Sequence, residues 1–207
     1  MKLALLGASG RIGGYVLSWA LGAGHEVTVL VRDPRSLSTA AGVTVITGQA
    51  TDAAAVAETA IDADAVVSAL GPRGAKTPAL LATAAGATVA AMNKTGVRRL
   101  VCVSAAGAFI DGDPDMGALT KLILPRVLSK QFVDTREMES VVSASDLDWT
   151  LVRPTRLVNA PQTGHYRVRP ELAPVGGRKI ARSDVAHFIG EVLTNDTWVR
   201  ARPALAY

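Results

Sequence analysis

Apolar positions along the chain form short continuous runs, separated by stretches where they recur every three to four residues. Leu3 to Leu6 is the first run, long enough for a strand buried on both faces. Ile12, Tyr15, Val16, Trp19 and Ala20 then follow at helical spacing. The alternation repeats: Glu26–Val31, Val43–Thr47, Asp64–Ser68, Arg99–Val103 and Trp149–Val152 read as further strands. Helices are predicted over Ala53–Ala60 behind a Thr51-Asp52 cap, and from Thr77-Pro78 to about Thr95, ending at Gly96. Two more are predicted over Val133–Ser143, beyond an interruption at Pro125, and from a Ser183-Asp184 cap through Thr194. Strands alternating with helices in this way predict a doubly wound parallel sheet in a three-layer α/β/α domain. The period fades from Leu157 to Lys179, where a hairpin is expected around Tyr166–Val168 and Lys179–Ile180. Trp198–Leu205 is expected to add an edge strand. An irregular segment at the ligand edge of a sheet usually shapes a substrate pocket, so residues 155–182 are read as a small C-terminal cap on a single domain spanning 1–207.

The turn after the first strand is Gly7-Ala8-Ser9-Gly10-Arg11-Ile12-Gly13, a G-x-x-G-x-x-G loop between strand and helix. Gly7 permits the tight turn, Gly10 lets a pyrophosphate approach the backbone, and Gly13 lets the helix pack close to the strand. The helix N-terminus offers N–H groups and a positive dipole end to phosphate. Gly7, Ser9, Gly10, Arg11 and Ile12 thus form a candidate dinucleotide site. At the end of the second strand, where an acidic residue would bind ribose hydroxyls, the chain has Arg32 and then Asp33-Pro34-Arg35. Arg32, with Arg11, suits a 2′-phosphate and argues for NADP(H) over NAD(H). Gln49 and Ala50 sit where the adenine edge is expected. Ala69, Leu70 and Gly71 end the fourth strand beside the pyrophosphate and nicotinamide ribose, and Ser104 ends the fifth near the nicotinamide. An ordinary turn residue or helix cap is the alternative role for Ser104.

Composition narrows the rest. The chain has 207 residues, 49% of them hydrophobic but only 4% aromatic, so Ala, Val and Leu must build the core. No apolar run is long enough to span a bilayer, and no basic-then-apolar leader precedes the first strand. The one cysteine, Cys102, excludes an internal disulfide and sits in a strand pattern as an inert buried thiol. A soluble, cytoplasmic protein is expected. Residues 1–152 hold 13 Lys/Arg against 14 Asp/Glu, whereas residues 153–207 hold 9 against 4. That basic quarter suits an anionic ligand; without interleaved stacking aromatics it argues against nucleic acid. The acidic stretch Asp111-Gly112-Asp113-Pro114-Asp115 lacks calcium-loop spacing, and no metal site is expected. The expected partner is a small planar molecule, and the expected state a monomer or small homo-oligomer.

Taken jointly, Gly7-x-x-Gly10-x-x-Gly13, Val31-Arg32-Asp33, Ala69-Leu70-Gly71, Asp148-Trp149-Thr150-x-Val152-Arg153-Pro154 and Ile180-x-x-x-Asp184-Val185-Ala186 resemble the atypical short-chain dehydrogenase/reductase group. Within it, the nearest likeness is to the NmrA-like and biliverdin reductase B (NADPH flavin reductase) branch. The resemblance covers nearly the whole chain and implies a Rossmann domain binding NADP(H). It places the phosphate-loop role on Gly7, Gly10, Arg11 and Ile12, the 2′-phosphate role on Arg32, and the adenine contact on Gln49, where relatives commonly have Asp. Nicotinamide-side contacts fall on Leu70, Gly71, Ser104 and Pro154. The departures bear on chemistry. Active short-chain enzymes use a Tyr-x-x-x-Lys pair, yet here Tyr15, Tyr166 and Tyr207 are the only tyrosines and none has Lys four residues on. The flavin reductase relative has a histidine after its sixth strand, where this chain has Arg156, with His165 further along. The expected function is NADPH-dependent reduction of flavin- or quinone-like rings by direct hydride transfer, with Ser104 hydrogen-bonding a ring carbonyl or the nicotinamide amide. A non-catalytic NADP(H)-binding sensor is the alternative. A sugar epimerase or dehydratase is third, since it would need the missing Tyr/Lys pair.

Overall fold

The computed structural model describes residues 1–37, 41–71, 79–112 and 129–207. Strand β1 (Lys2–Leu6) leads into helix α1 (Arg11–Gly22), followed by β2 (Glu26–Val31), β3 (Val43–Thr47), α2 (Ala53–Thr59), β4 (Ala65–Ser68), α3 (Leu80–Thr95) and β5 (Arg99–Val103). Then come α4 (Ser129–Ser143), β6 (Asp148–Pro154), β7 (Arg156–Val158), β8 (Arg167–Pro170), β9 (Lys179–Ala181), α5 (Arg182–Leu193) and β10 (Pro203–Ala206). Eight strands form one sheet in the order β3-β2-β1-β4-β5-β6-β10-β8. Every pairing in it is parallel except β10 with β8. The chain reverses its direction of travel across the sheet between β1 and β4, and ligands of such sheets bind outside the carboxyl ends of the strands at that point.

Alternation along β1 divides its side chains between two cores. Leu3 and Leu5 face a layer made by Val16 and Leu17 of α1 and Ile189 and Val192 of α5. Ala4 and Leu6 face Val56 of α2, Met92 of α3, and Met138 and Val142 of α4. The three-layer doubly wound architecture is therefore present as the pattern predicts. Leu5 and Leu6 are essentially inaccessible, and full burial of such a side chain contributes about 1.5–3 kcal/mol.

Three expectations are corrected. There is no hairpin between Tyr166–Val168 and Lys179–Ile180: β8 pairs antiparallel with β10, Arg167 opposite Ala206, and β9 pairs parallel with β7, Lys179 opposite Arg156. Apolar period marks a strand but not its partner. The last strand is not at the edge either, because β10 lies between β6 and β8. Ser183-Asp184 does not cap the final helix, which starts at Arg182 behind Ala181; both side chains are bonded to residues 160–164 instead. The Asp52 cap is present, its carboxylate accepting from the Ala54 N–H at 2.9 Å. The helix start at Thr77-Pro78 and the interruption at Pro125 lie outside the described residues, as do Asp113 to Asp115.

Candidate dinucleotide site

The glycine turn is held against β4. Gly7 has φ +87°, and a Cβ there would lie 2.8 Å from the Ala69 carbonyl oxygen. A Cβ at Gly13 would come within 2.1 Å of the Gly7 carbonyl oxygen, so helix α1 rests directly on the turn. Gly10 is different: its φ of −84° and ψ of 166° are extended backbone open to any residue. What glycine supplies there is space, since a Cβ would stand 3.0 Å from the Gly7 oxygen. The Gly10 N–H donates to that same oxygen at 2.8 Å.

The first N–H groups of a helix have no partner within it. In α2 Asp52 meets one of them, and in α3 the N–H groups of Leu81 and Ala82 both donate, at 2.9 Å, to the Asp134 carboxylate from α4. Helix α1 has neither a side-chain cap nor an acidic residue in its first turn. A positive helix end of this kind suits an anion. The tight turn, in which a Cβ at Gly7 would meet the Ala69 carbonyl and one at Gly10 the Gly7 oxygen, brings backbone and helix start together in a form compatible with a pyrophosphate on Gly7, Ser9, Gly10, Arg11 and Ile12.

Around this turn the structure gathers cations. Arg11 and Arg32 are both exposed. The displaced acid, Asp33, accepts from the N–H, Nε and Nη2 of Arg35, each at 3.0 Å; those bonds hold its carboxyl below the usual range. Asp33 is thus committed to Arg35, and Arg32 makes no ion pair among the described residues. The Gly48 N–H donates to the Val31 carbonyl, which sets Gln49 (exposed) and Ala50 (half-buried) beside the end of β2. A further cation, Arg182, was not legible in the sequence as a neighbour of this corner. It is half-buried in the first turn of α5, donates to Asn159 Oδ1 at 2.7 Å, and has its pKa lowered by burial and then by the charge of Arg11. Only the packing of α1 against α5 brings Arg182 there.

At the carboxyl ends of β4, β5 and β6 the structure places Ala69 (buried), Leu70 (half-buried), Gly71 (exposed), and Ser104 and Pro154 (both buried). Ser104 is not free. Its Oγ donates to Glu139 Oε1 at 2.5 Å. Glu139, on α4, is also held by Arg153 from β6, through Nε to Oε1 at 2.9 Å and Nη2 to Oε2 at 2.6 Å. Arg153 reaches Glu171 as well, and its guanidinium lies 3.7 Å from the centroid of Phe109. Arg202 completes the group, with Nε 3.4 Å from Glu139 Oε2 and Nη1 3.3 Å from Glu171 Oε1. Glu139 carries no motif of its own, and the sequence signal was only the Arg153-Pro154 pair ending β6. The other proton-donor candidates are exposed. Arg156 is exposed at the start of β7, and the exposed His165 engages the Thr163 carbonyl through Nδ1 at 2.7 Å. Burial raises the Cys102 thiol pKa to about 12, as expected of an inert thiol.

A surface cleft of about 570 Å³ lies at the opposite end of the sheet, bounded by Asp64, Arg98, Arg99 and Asp148. Its arginines are engaged by Asp148 and by backbone carbonyls, so it is a structural seam. Among the described residues no group of three or more His, Cys, Asp or Glu is placed to hold a metal ion, and no helix is long and apolar enough to cross a membrane.

The solved structures most useful for comparison match over the whole chain. A wide-type short-chain dehydrogenase/reductase from Veillonella parvula DSM 2008, in complex with NADP, is 23% identical with a TM-score of 0.82, covering 100% of this chain and 94% of that one. ChuY, an anaerobillin reductase from Escherichia coli O157:H7, is 24% identical with a TM-score of 0.83, covering 100% and 97%. A protein from Burkholderia pseudomallei described as a putative exported protein is 28% identical with a TM-score of 0.82, covering all of both chains. These share the fold. The model of the NAD(P)H-binding family matches residues 7–196, from the first glycine of the turn to beyond the last helix. The chain accordingly belongs to the NAD(P)H-binding family, with the Rossmann architecture of the atypical short-chain dehydrogenases/reductases.

Proposed function

We propose that this protein is an NADPH-dependent reductase of planar, electron-poor rings of the flavin or quinone kind. The observation that carries the reading is the commitment of Ser104 to Glu139 at the carboxyl end of β5. Reduction of an isolated ketone builds alkoxide charge, and a positioned acid typically supplies about 10²–10⁴-fold there. The sequence has no Tyr-x-x-x-Lys, and the Ser104 proton is already given away. An electron-poor ring delocalises the incoming charge and takes its proton from water, so positioning supplies much of the rate. Bound NADPH would bring the hydride; the chain's own part is to bind, orient and shield. Gly7 to Ile12 hold the pyrophosphate, Arg32 with Arg11 takes the 2′-phosphate, and Gln49 and Ala50 flank the adenine. Ala69, Leu70, Gly71 and Pro154 border the nicotinamide side, and residues 155–182 cover the acceptor. That NADP is bound by the Veillonella neighbour, and that another neighbour is named a reductase, supports the reading. We place the protein in the cytoplasm, where the free thiol of Cys102 stays reduced.

The test has two arms. Calorimetry should give tighter binding of NADPH than NADH, and Arg32→Asp should weaken NADPH by about 1.5–3 kcal/mol per phosphate bond lost. Equal affinity for both cofactors removes the 2′-phosphate assignment. NADPH oxidation should then proceed with flavins and quinones but not with simple ketones. The same Ser104–Glu139 bond favours a second reading, a non-catalytic NADP(H) sensor, and tight NADPH binding without oxidation across the panel would select it.

A further inference from the structure

We infer that Glu139 is a positioning residue that makes Ser104 a pure hydrogen-bond acceptor, so that Ser104 selects the amide NH2 of the nicotinamide carboxamide. The inference rests on the NADP(H) reading above. Glu139 is 3% exposed and accepts three hydrogen bonds, from Ser104 Oγ and Arg153 Nε on Oε1 and from Arg153 Nη2 on Oε2, with Arg202 Nε as a further ion-pair partner 3.4 Å from Oε2. A carboxylate ion-paired to two guanidinium groups has acceptor sites and no proton to give, so the serine must be the donor. A serine hydroxyl has one proton and two lone pairs. With its proton fixed on Glu139, Ser104 keeps only lone pairs for a ligand.

Among the described residues nothing lets that polarity reverse. Arg153 is pinned by Nη1 donating to the Glu171 carbonyl at 2.7 Å and by the Phe109 ring over its plane. The Ser104 backbone N–H donates to the Val152 carbonyl at 2.7 Å, tying β5 to β6 at this level. A buried ion pair is often no more stabilising than apolar residues of similar volume. What the pair provides here, and an apolar pair does not, is the direction of one hydroxyl. A ligand carbonyl is refused at Ser104 and an amide N–H is accepted. This decides between the two bonds open to Ser104, in favour of the carboxamide and against a ring carbonyl.

The experiment is calorimetry with NADP+, its 3-acetylpyridine analogue, which replaces the amide by a methyl ketone, and its thionicotinamide analogue, which keeps the NH2. The wild type should bind NADP+ and the thio analogue alike, and the acetylpyridine analogue about five- to tenfold more weakly, as loss of one hydrogen bond implies. Ser104→Ala should bring that ratio close to one. Glu139→Leu combined with Arg153→Met keeps the group neutral and frees the Ser104 proton for the acetyl oxygen, so the ratio should again collapse. A ratio unchanged in Ser104→Ala, or a wild type that does not discriminate, overturns the inference. If the double variant does not fold, Ser104→Ala alone decides. Failure of the wild type to bind any of the three would instead strike the NADP(H) reading itself.

Discussion

Gly10 and Gly7 look alike in the sequence but act through different physics. Gly7 is left-handed, whereas Gly10 is extended and clear of strain, so replacing Gly10 tests space alone. Gly10→Val should abolish NADPH binding while costing about 1 kcal/mol in stability, the low end for overpacking. Normal calorimetric affinity in that variant would remove the turn from the phosphate site. Arg153 offers the opposite contrast, a polar residue whose loss is felt in folding. Arg153→Met leaves the buried Glu139 without its bidentate partner, and breaking such a pair costs about 3–5 kcal/mol. Adding Glu139→Leu should recover most of that loss, measured as urea midpoints across the double-mutant cycle. Additive destabilisation would mean that the two side chains do not act as a pair. The sequence showed Arg153 and Pro154 at the end of a strand. It could not show Glu139, because a charge on a helix reads as solvated until the helix face is known.

At the scale of elements, the start of α3 is stabilised by another helix. Asp134, buried on α4, accepts both the Leu81 and Ala82 N–H groups 53 and 52 residues away. Asp134→Ala should cost about 1–2 kcal/mol, the upper range for loss of a cap. Amide exchange should quicken at Leu81 and Ala82 and stay slow in β1; protection unchanged at Leu81 would show the cap to be dispensable. The contact of α1 with α5 is equally specific, for a Cβ at Gly190 would lie 2.4 Å from Trp19 Cε2. Local patterning located α1, α2, α4 and α5 to within a few residues, because periodicity and caps are written in neighbouring residues. It misassigned Ser183-Asp184 as a cap because the same residue types also serve distant partners.

Over the whole molecule, Asp184 joins three separate parts of the chain. It is fully buried and accepts from the N–H of Thr163 and Gly164, the Thr163 hydroxyl, and the Tyr207 hydroxyl at 2.6 Å. Burial pushes its carboxyl up, but those bonds outweigh it and hold the pKa below the ordinary value. A carboxyl depressed on folding contributes stability in full above its unfolded pKa of about 3.9, and loses it as pH falls through the lower folded value. Asp184→Asn should therefore be less stable than wild type near pH 6 and should lose less stability between pH 6 and pH 3. Urea midpoints that fall in parallel would refute that linkage. The amino-acid sequence by itself determined the order of β and α elements, the parallel doubly wound class, and the glycine turn between β1 and α1. Each depends on residues close along the chain, within the span of one strand, turn and helix. Tertiary structure alone decided that β10 lies inside the sheet, that β7 pairs with β9, and that Arg182 stands near Arg11. It also decided that the Ser104 proton belongs to Glu139. Those outcomes depend on contacts between residues tens of positions apart, set by which faces the sheet and its helices bury together. A one-dimensional pattern of polarity carries no term for that choice.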